Sequence, residues 1–327
     1  SRNERAMRNF LIARAAKDNG AKKIILIEPD LFYSAQDRGP RAEHGLPGLS
    51  RSIHDFKKFD GQPFSSLLYA QLLKCSGIDK IMTVHNHSSA VQELFGQRFH
   101  DGFYNLCPAE IYANYLARYG FTVGDNTDKG LVICAPDNGA EPFTKQVFTH
   151  LQKEYNKRLI APQGEPALLL MDKERCGERK VRMVIRPDSP TSLEQLKGRV
   201  VVVCDDMVRT GGTIAECCRH LKAAGVSRVI FVVTHFYSSA EVKENLHTEI
   251  IDDIITTNSL PNILNRDEQG RLRGKMLVLK IERWIVNALR KYELDMQAAP
   301  YDPPYTIDVS RKNPRWEASQ EQSKSGR

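Results

Sequence analysis

No stretch of this chain approaches the ~18 consecutive apolar residues that a membrane-crossing helix needs, so a membrane span is not expected. The opening Ser1-Arg2-Asn3-Glu4-Arg5 is polar and charged, with no signal-peptide core behind it. Because the chain opens on Ser rather than Met, removal of upstream residues is expected. The seven cysteines, at 75, 107, 134, 176, 204, 217 and 218, contain no CxxC pair and no metal-ligand spacing. Their odd number argues against a full disulfide framework. Several lie in apolar patterns, which predicts reduced, buried thiols in a cytoplasmic protein. No aromatic-basic platform accompanies the dispersed Lys and Arg residues. The net charge of +7 therefore points to small polyanionic ligands rather than nucleic acid.

What the chain does have is length and regular alternation. Its 327 residues, 41% of them hydrophobic, suit two domains with real cores. Strand-length apolar runs alternate with amphipathic segments, the pattern of parallel sheets. Strands are predicted at 22–28, 80–84, 131–135, 167–171, 181–185, 199–204, 228–234, 253–256 and 276–279. Helices are predicted at 4–19, 65–76, 108–119, 142–155, 212–224, 240–247 and 281–292, several with Pro near the start and Gly past the end. The tail from 296 to 327, rich in Pro and then polar, reads as extended or disordered. Residues 38–62 follow neither period, a length that suits a lid, a binding loop or a solvated insertion.

The most informative stretch is 200–214. An apolar run, Val200 to Cys204, ends in Asp205 and Asp206. A turn with Gly211 and Gly212 follows, and a helix then starts near Thr213. Adjacent carboxylates at a strand end can bind vicinal hydroxyls. The glycines let backbone N–H groups approach a phosphate, and the helix start offers free N–H groups and a positive dipole end. Arg209, Thr210 and Thr213 add donors. The ligand read from these residues is a phosphorylated sugar.

Other strand ends carry chemistry as well, which matters because open parallel sheets bind ligands at the carboxyl ends of their strands. Strand 80–84 ends in His85-Asn86-His87, and strand 131–135 in Pro136-Asp137-Asn138-Gly139. Strand 167–171 ends in Asp172-Lys173-Glu174-Arg175, and strand 22–28 runs on to Gln36-Asp37-Arg38.

The Asp205-to-Thr213 stretch resembles the phosphoribosyl-pyrophosphate (PRPP) motif shared by type I phosphoribosyltransferases and ribose-phosphate pyrophosphokinases. From about Asn3 to Tyr292 the strand ends match the second family in order. The resemblance implies two phosphoribosyltransferase-type α/β domains with parallel-rich sheets flanked by helices. One would comprise 1–107 plus 276–295 on the ATP side, and the other 108–275 on the ribose 5-phosphate side, with the active site between them. It implies transfer of the diphosphoryl group of ATP to the 1-hydroxyl of ribose 5-phosphate, with Mg²⁺ as cofactor. In that reading Gln36, Asp37, Arg38 and His87 contact ATP, His87 and Asp137 attend the metal, and Lys173 and Arg175 are catalytic residues on a mobile flap. Asp205, Asp206, Arg209, Thr210, Gly211, Gly212 and Thr213 hold ribose 5-phosphate, and Thr256-Thr257-Asn258-Ser259 resembles a segment near the sugar. A homo-oligomer, dimer or hexamer, is implied too.

The chain departs from the family pattern in places. Ala35 stands where the family has Arg, His85 where it has Asp, Arg209 where an acidic or small residue is usual, and Ala140 where it has a second glycine. The 38–62 segment is longer than the family's, and no N-terminal strand region with an adenine-binding loop is found. Two alternatives stay open: a catalytically weak regulatory homologue, and a type I phosphoribosyltransferase.

Overall fold

The computed structural model describes residues 2–41, 43–45, 51–119, 130–158, 164–175, 181–297, 299 and 302–308. The chain divides into two compact units, Ser1–Cys107 and Pro108–Arg327.

In the first unit, helix α1 (Arg2–Asp18) precedes β1 (Ile25–Ile27), α2 (Ile53–Lys57), α3 (Ser65–Cys75), β2 (Lys80–Val84), α4 (Ser89–Phe99) and β3 (Phe103–Leu106). The three strands form a parallel sheet in the order β1-β2-β3 among the described residues. Its core includes Tyr69, Leu73, Ile81, Val91 and Phe95, all buried. Glu28, just past β1, is buried too. Its carboxylate accepts from Tyr69 Oη at 3.0 and 3.1 Å, from Asn9 Nδ2 at 3.0 Å and from the Phe32 amide at 3.0 Å. Burial outweighs these donors and raises its pKa from the ordinary 4.5 to about 7. This group therefore favours folding most below pH 4.5 and progressively less as pH rises through about 7. At 1.36 kcal/mol per pH unit that amounts to about 3 kcal/mol. Glu28→Gln is expected to flatten the pH dependence of amide-exchange protection around Phe32, measured between pH 4.5 and 8. An unchanged profile would place the titration elsewhere.

Residues 38–62 are folded where they are described, although many of them are exposed. Arg51 organises them. Its side chain is 3% exposed and pairs with Asp55 at 2.6 Å. Its Nη1 donates to the carbonyls of Gly39, Arg41 and His44 at 2.9, 3.2 and 2.6 Å. Its guanidinium lies 4.4 Å from the Phe56 ring centroid and 5.4 Å from that of Phe59. No helical or strand period announces such a lobe, because one arginine gathers the carbonyls that a ladder would otherwise satisfy. Arg51→Met should cost about 1–3 kcal/mol, the penalty of orphaned buried acceptors. Its mark would be faster exchange confined to residues 38–62, whereas unchanged exchange there would sink this role.

The second unit runs α5 (Ala109–Arg118), β4 (Leu131–Ala135), α6 (Glu141–Arg158), β5 (Ala167–Arg175), β6 (Val181–Ile185), β7 (Val200–Val208), α7 (Gly212–Ala223), β8 (Arg228–Phe236) and α8 (Ala240–Leu246). It continues with β9 (Asp253–Thr257), α9 (Arg266–Gln269), β10 (Met276–Lys280), α10 (Glu282–Glu293) and β11 (Thr306–Ile307). Its eight described strands lie in the order β11-β10-β9-β8-β7-β4-β5-β6. All pairings are parallel except β5 with β6 and β10 with β11. Strand β4 is buried at every position, as expected of a parallel strand covered on both faces. Val201, Val203, Phe231, Val233 and Ile254 fill the core.

One expectation is corrected here. The 276–295 segment belongs with the second unit, because β10 pairs in parallel with β9, Met276 opposite Ile254. Part of the tail is extended and packed. Strand β11 adds antiparallel to β10, and Tyr305 is buried with its hydroxyl donating to Asn114 Oδ1 at 3.1 Å. Residues 309–327 lie outside the described residues. Cys134, Cys204, Cys217 and Cys218 are buried, Cys107 is half-buried and Cys75 is exposed; Cys176 lies outside the described residues. Among the described residues no helix is long and apolar enough to cross a membrane.

Candidate active site

The strand order of the second unit reverses between β4 and β7. The chain leaves β4 towards β5 and β6, then returns to β4's other side with β7 and proceeds to β8. Such a switch point opens a crevice at the carboxyl ends of the two strands, where ligands bind. Asp137 follows β4, and Asp205 and Asp206 lie near the end of β7. The sheet itself brings these carboxylates to the switch point.

Strand β7 runs on through Val208, four residues past its predicted end, because β8 offers partners as far as Phe236. The acid pair therefore sits on rigid strand rather than in a turn. Each side chain is oriented by backbone: Asp205 Oδ1 accepts from the Asp206 amide at 2.9 Å, and Asp206 Oδ1 from the Met207 amide at 2.7 Å. Burial, then the carboxylates of Asp206 and Asp137, push Asp205 well above the usual carboxyl range.

Beyond β7 the turn is built as the glycines imply. Gly211 has φ +82° and caps α7 without any side-chain bond, leaving the first amides of the helix for a ligand. A Cβ at Gly211 would come within 3.1 Å of Leu246. Helix α8 ties the turn down: Asn245 Nδ2 donates to the Thr210 carbonyl at 2.8 Å and Ser239 Oγ to the Arg209 carbonyl at 3.2 Å. The Arg209 guanidinium lies 5.5 Å from the Tyr237 ring centroid. Arg209, Thr210 and Gly212 are exposed, and Thr213 is half-buried.

Asp137 and Lys173 meet. Asp137 Oδ1 accepts from the amides of Gly139 and Ala140 at 3.1 and 3.2 Å, at the start of α6. Its Oδ2 accepts from Lys173 Nζ at 2.7 Å. The predicted strand at 167–171 continues to Arg175, because β6 supplies an antiparallel partner, Lys173 opposite Met183 and Arg175 opposite Val181. Lys173 therefore stands on a hairpin arm, not on a loop after a strand. Arg175 shares that arm.

In the first unit, Gln36, Asp37 and Arg38 follow β1, and His87 follows β2. Asp37 links the two loops, accepting from Ser88 Oγ at 2.8 Å while Ser88 caps α4. Arg38 lies between carboxylates, 3.6 Å from Asp37 and 3.4 Å from Asp55. Gln36 and His87 are exposed. Both loops contain a non-glycine residue in left-handed backbone, Tyr33 at φ 64° and His85 at φ 47°, strain of the kind that collects at functional sites.

Thr256, Thr257 and Ser259 are buried. Thr257 and Ser259 donate to the Thr234 carbonyl, each at 2.9 Å, and Asn258 donates to Glu282 at 2.7 Å. These bonds are structural.

Residues 113–262 match the model of the phosphoribosyl transferase domain. The chain is 28% identical over 292 residues to a ribose-phosphate pyrophosphokinase of Streptomyces avermitilis, covering 88% of this chain and 74% of the relative. It is 27% identical over 259 residues to one from Methanopyrus kandleri, covering 79% and 72% respectively. The structure is similar to that of phosphoribosylpyrophosphate synthetase from Mycobacterium smegmatis, with a TM-score of 0.64 at 25% identity over 90% of this chain and 79% of that one. The similarity to ribose-phosphate pyrophosphokinases thus runs over most of the chain. Sequence reading missed Ser88 and Arg186, and named Asn138 only as part of a strand end. Ser88 could have been found as a helix cap ahead of an apolar run. Arg186 had no such signal, since the partners it reaches at the end of β4, Asn138 and Glu141, lie more than forty positions away.

Proposed function

We propose that the chain is a ribose-phosphate diphosphokinase. The 1-hydroxyl oxygen of ribose 5-phosphate bonds to the β-phosphorus of ATP. The bond from that phosphorus to the oxygen bridging the α-phosphorus breaks, AMP leaves, and the hydroxyl proton passes to water. The observation that carries this reading is the switch-point cluster: Asp205 and Asp206 beside the Gly211 turn, with Lys173 held on Asp137. A sugar-phosphate turn alone would also suit a transferase that consumes PRPP, but similarity to pyrophosphokinases over most of the chain favours the enzyme that makes it.

The roles follow from the chemistry. Asp205 and Asp206 accept the ribose hydroxyls, and the turn from Arg209 to Thr213 takes the 5-phosphate. Gln36, Asp37, Arg38 and His87 serve ATP. Lys173 and Arg175 meet negative charge on the transferring group, for which positioning and cationic charge matter more than covalent help.

Mg²⁺ fits the residues present. Asp205 is pushed up by burial and then by its neighbours Asp206 and Asp137, a concentration of negative charge that a cation would relieve. Mg²⁺ keeps several waters and binds largely through substrate phosphates, so it asks for only one or two carboxylates. Asp137 would supply oxygen, and His87 would act through water. When bound, the ion neutralises charge on the phosphoryl oxygens.

The test is a product assay with ATP, ribose 5-phosphate and Mg²⁺. AMP formation supports the proposal. Consumption of PRPP with a nucleobase would favour the transferase, and neither reaction would favour a regulatory homologue.

A further inference from the structure

We propose that Arg186 is a positioning residue that holds the β5–β6 arm against the 137–141 turn and so keeps Lys173 in register with Asp137. The inference rests on the reading of Lys173 as catalytic.

Arg186 directly follows β6, and its amide donates to the Leu170 carbonyl at 3.0 Å, at the base of the hairpin. Its guanidinium faces two ways. Nε and Nη2 grip Asp188 at 2.8 and 2.5 Å, a bidentate hold that fixes the plane of the fork. Nη1 then reaches across to the end of β4, donating to Asn138 Oδ1 at 2.7 Å and to Glu141 Oε2 at 2.5 Å. Glu141 is also held by Lys145 at 2.6 Å.

Asn138 passes the constraint on. With its Oδ1 on the guanidinium, its Nδ2 donates to Asp172 Oδ2 at 3.1 Å, and Asp172 Oδ1 accepts from the Lys173 amide at 2.7 Å. An amide can accept on one side and donate on the other; an aspartate at 138 would meet Asp172 with like charge. Asn138 adjoins Asp137, and Asp172 adjoins Lys173. The relay therefore stitches together the two backbones whose side chains form the 2.7 Å Lys173–Asp137 pair. A loose arm would leave Lys173 free to miss the transferring group, because small misplacements of a charged group cost rate steeply. A lysine at 186 has one ammonium on a flexible stem and cannot hold Asp188 bidentately while reaching Asn138.

Two variants test this in the full chain. Arg186→Gln is expected to lower kcat about 10- to 100-fold, the usual cost of losing a supporting partner, with the KM for ribose 5-phosphate within about twofold, and Arg186→Lys should recover only part of it. Asn138→Ala, which leaves both ion pairs of Arg186 in place, should reproduce the kcat loss without lowering the melting temperature. Amide exchange over 170–175 should quicken in both variants. That readout needs no turnover, so it tests the relay even if the wild-type chain makes no AMP and the diphosphokinase reading fails. The proposal is overturned if exchange over 170–175 is unchanged in both variants. It is overturned as well if an active wild type and Asn138→Ala share the same kcat, or if kcat and both KM values move only in step with the melting temperature.

Discussion

Lys173→Ala is expected to lower turnover about 10²- to 10³-fold, the usual cost of losing one donor aimed at charge in a transition state, while ribose 5-phosphate binds nearly as before. The separation follows from position. Lys173 stands on β5 and pairs with Asp137, whereas the turn proposed to hold the sugar phosphate is built by β7, α7 and α8. Both members of the pair are partly exposed, at 36% and 28%. Such a pair contributes only about 0–1 kcal/mol. An incoming triphosphate can therefore take the ammonium from Asp137 at little cost, and Asp137 Oδ2 is then open to a cation. The same variant gives a second readout: without Lys173, Asp137 should bind Mn²⁺ more tightly in the absence of nucleotide. Turnover within a few-fold of wild type, or unchanged Mn²⁺ affinity, would contradict this account of Lys173.

Asp206→Asn should weaken ribose 5-phosphate binding by about 10- to 100-fold, corresponding to the 1.5–3 kcal/mol typical of a hydrogen bond to a charged group. Asp206 is aimed by the Met207 amide at 2.7 Å and sits on strand that β8 supports. The substitution keeps shape and removes charge, so the fold should survive. ATP affinity measured alone should change little. Calorimetric titration with ribose 5-phosphate decides it, and an unchanged affinity would remove Asp206 from the sugar site. Asp205→Asn should show the effect with a different pH profile, because burial and neighbouring carboxylates raise Asp205. In the wild type, binding that needs Asp205 ionised should strengthen as pH rises through its elevated pKa.

Most of the second unit was legible because parallel strands buried on both faces announce themselves as apolar runs. Residues 131–135 form a strand at the predicted bounds and are buried at every position. Strand ends were harder. The runs at Cys204 and Met171 stop being apolar where the chain becomes chemical, yet both strands continue, because β8 and β6 supply partners that no local pattern reveals. Helix α4 and strand β3 were missed, since α4 places polar residues among short apolar ones and β3 spans four residues. The lobe around Arg51 and the relay through Arg186 were out of reach for one reason: beside a nearby aspartate, each guanidinium gathers more distant partners that the fold brings to it. The Asp205-to-Thr213 turn was the opposite case, a local motif whose left-handed glycine at 211 could be read from its neighbours.

The central claim is that an intact diphosphoryl group moves from ATP to the sugar, and isotope tracing tests it most directly. With ATP labelled at the γ-phosphorus, the chain, Mg²⁺ and ribose 5-phosphate, the account expects the label in PRPP and unlabelled AMP in equal amount. Label released as inorganic phosphate with ADP, or no sugar-bound label at all, would contradict it.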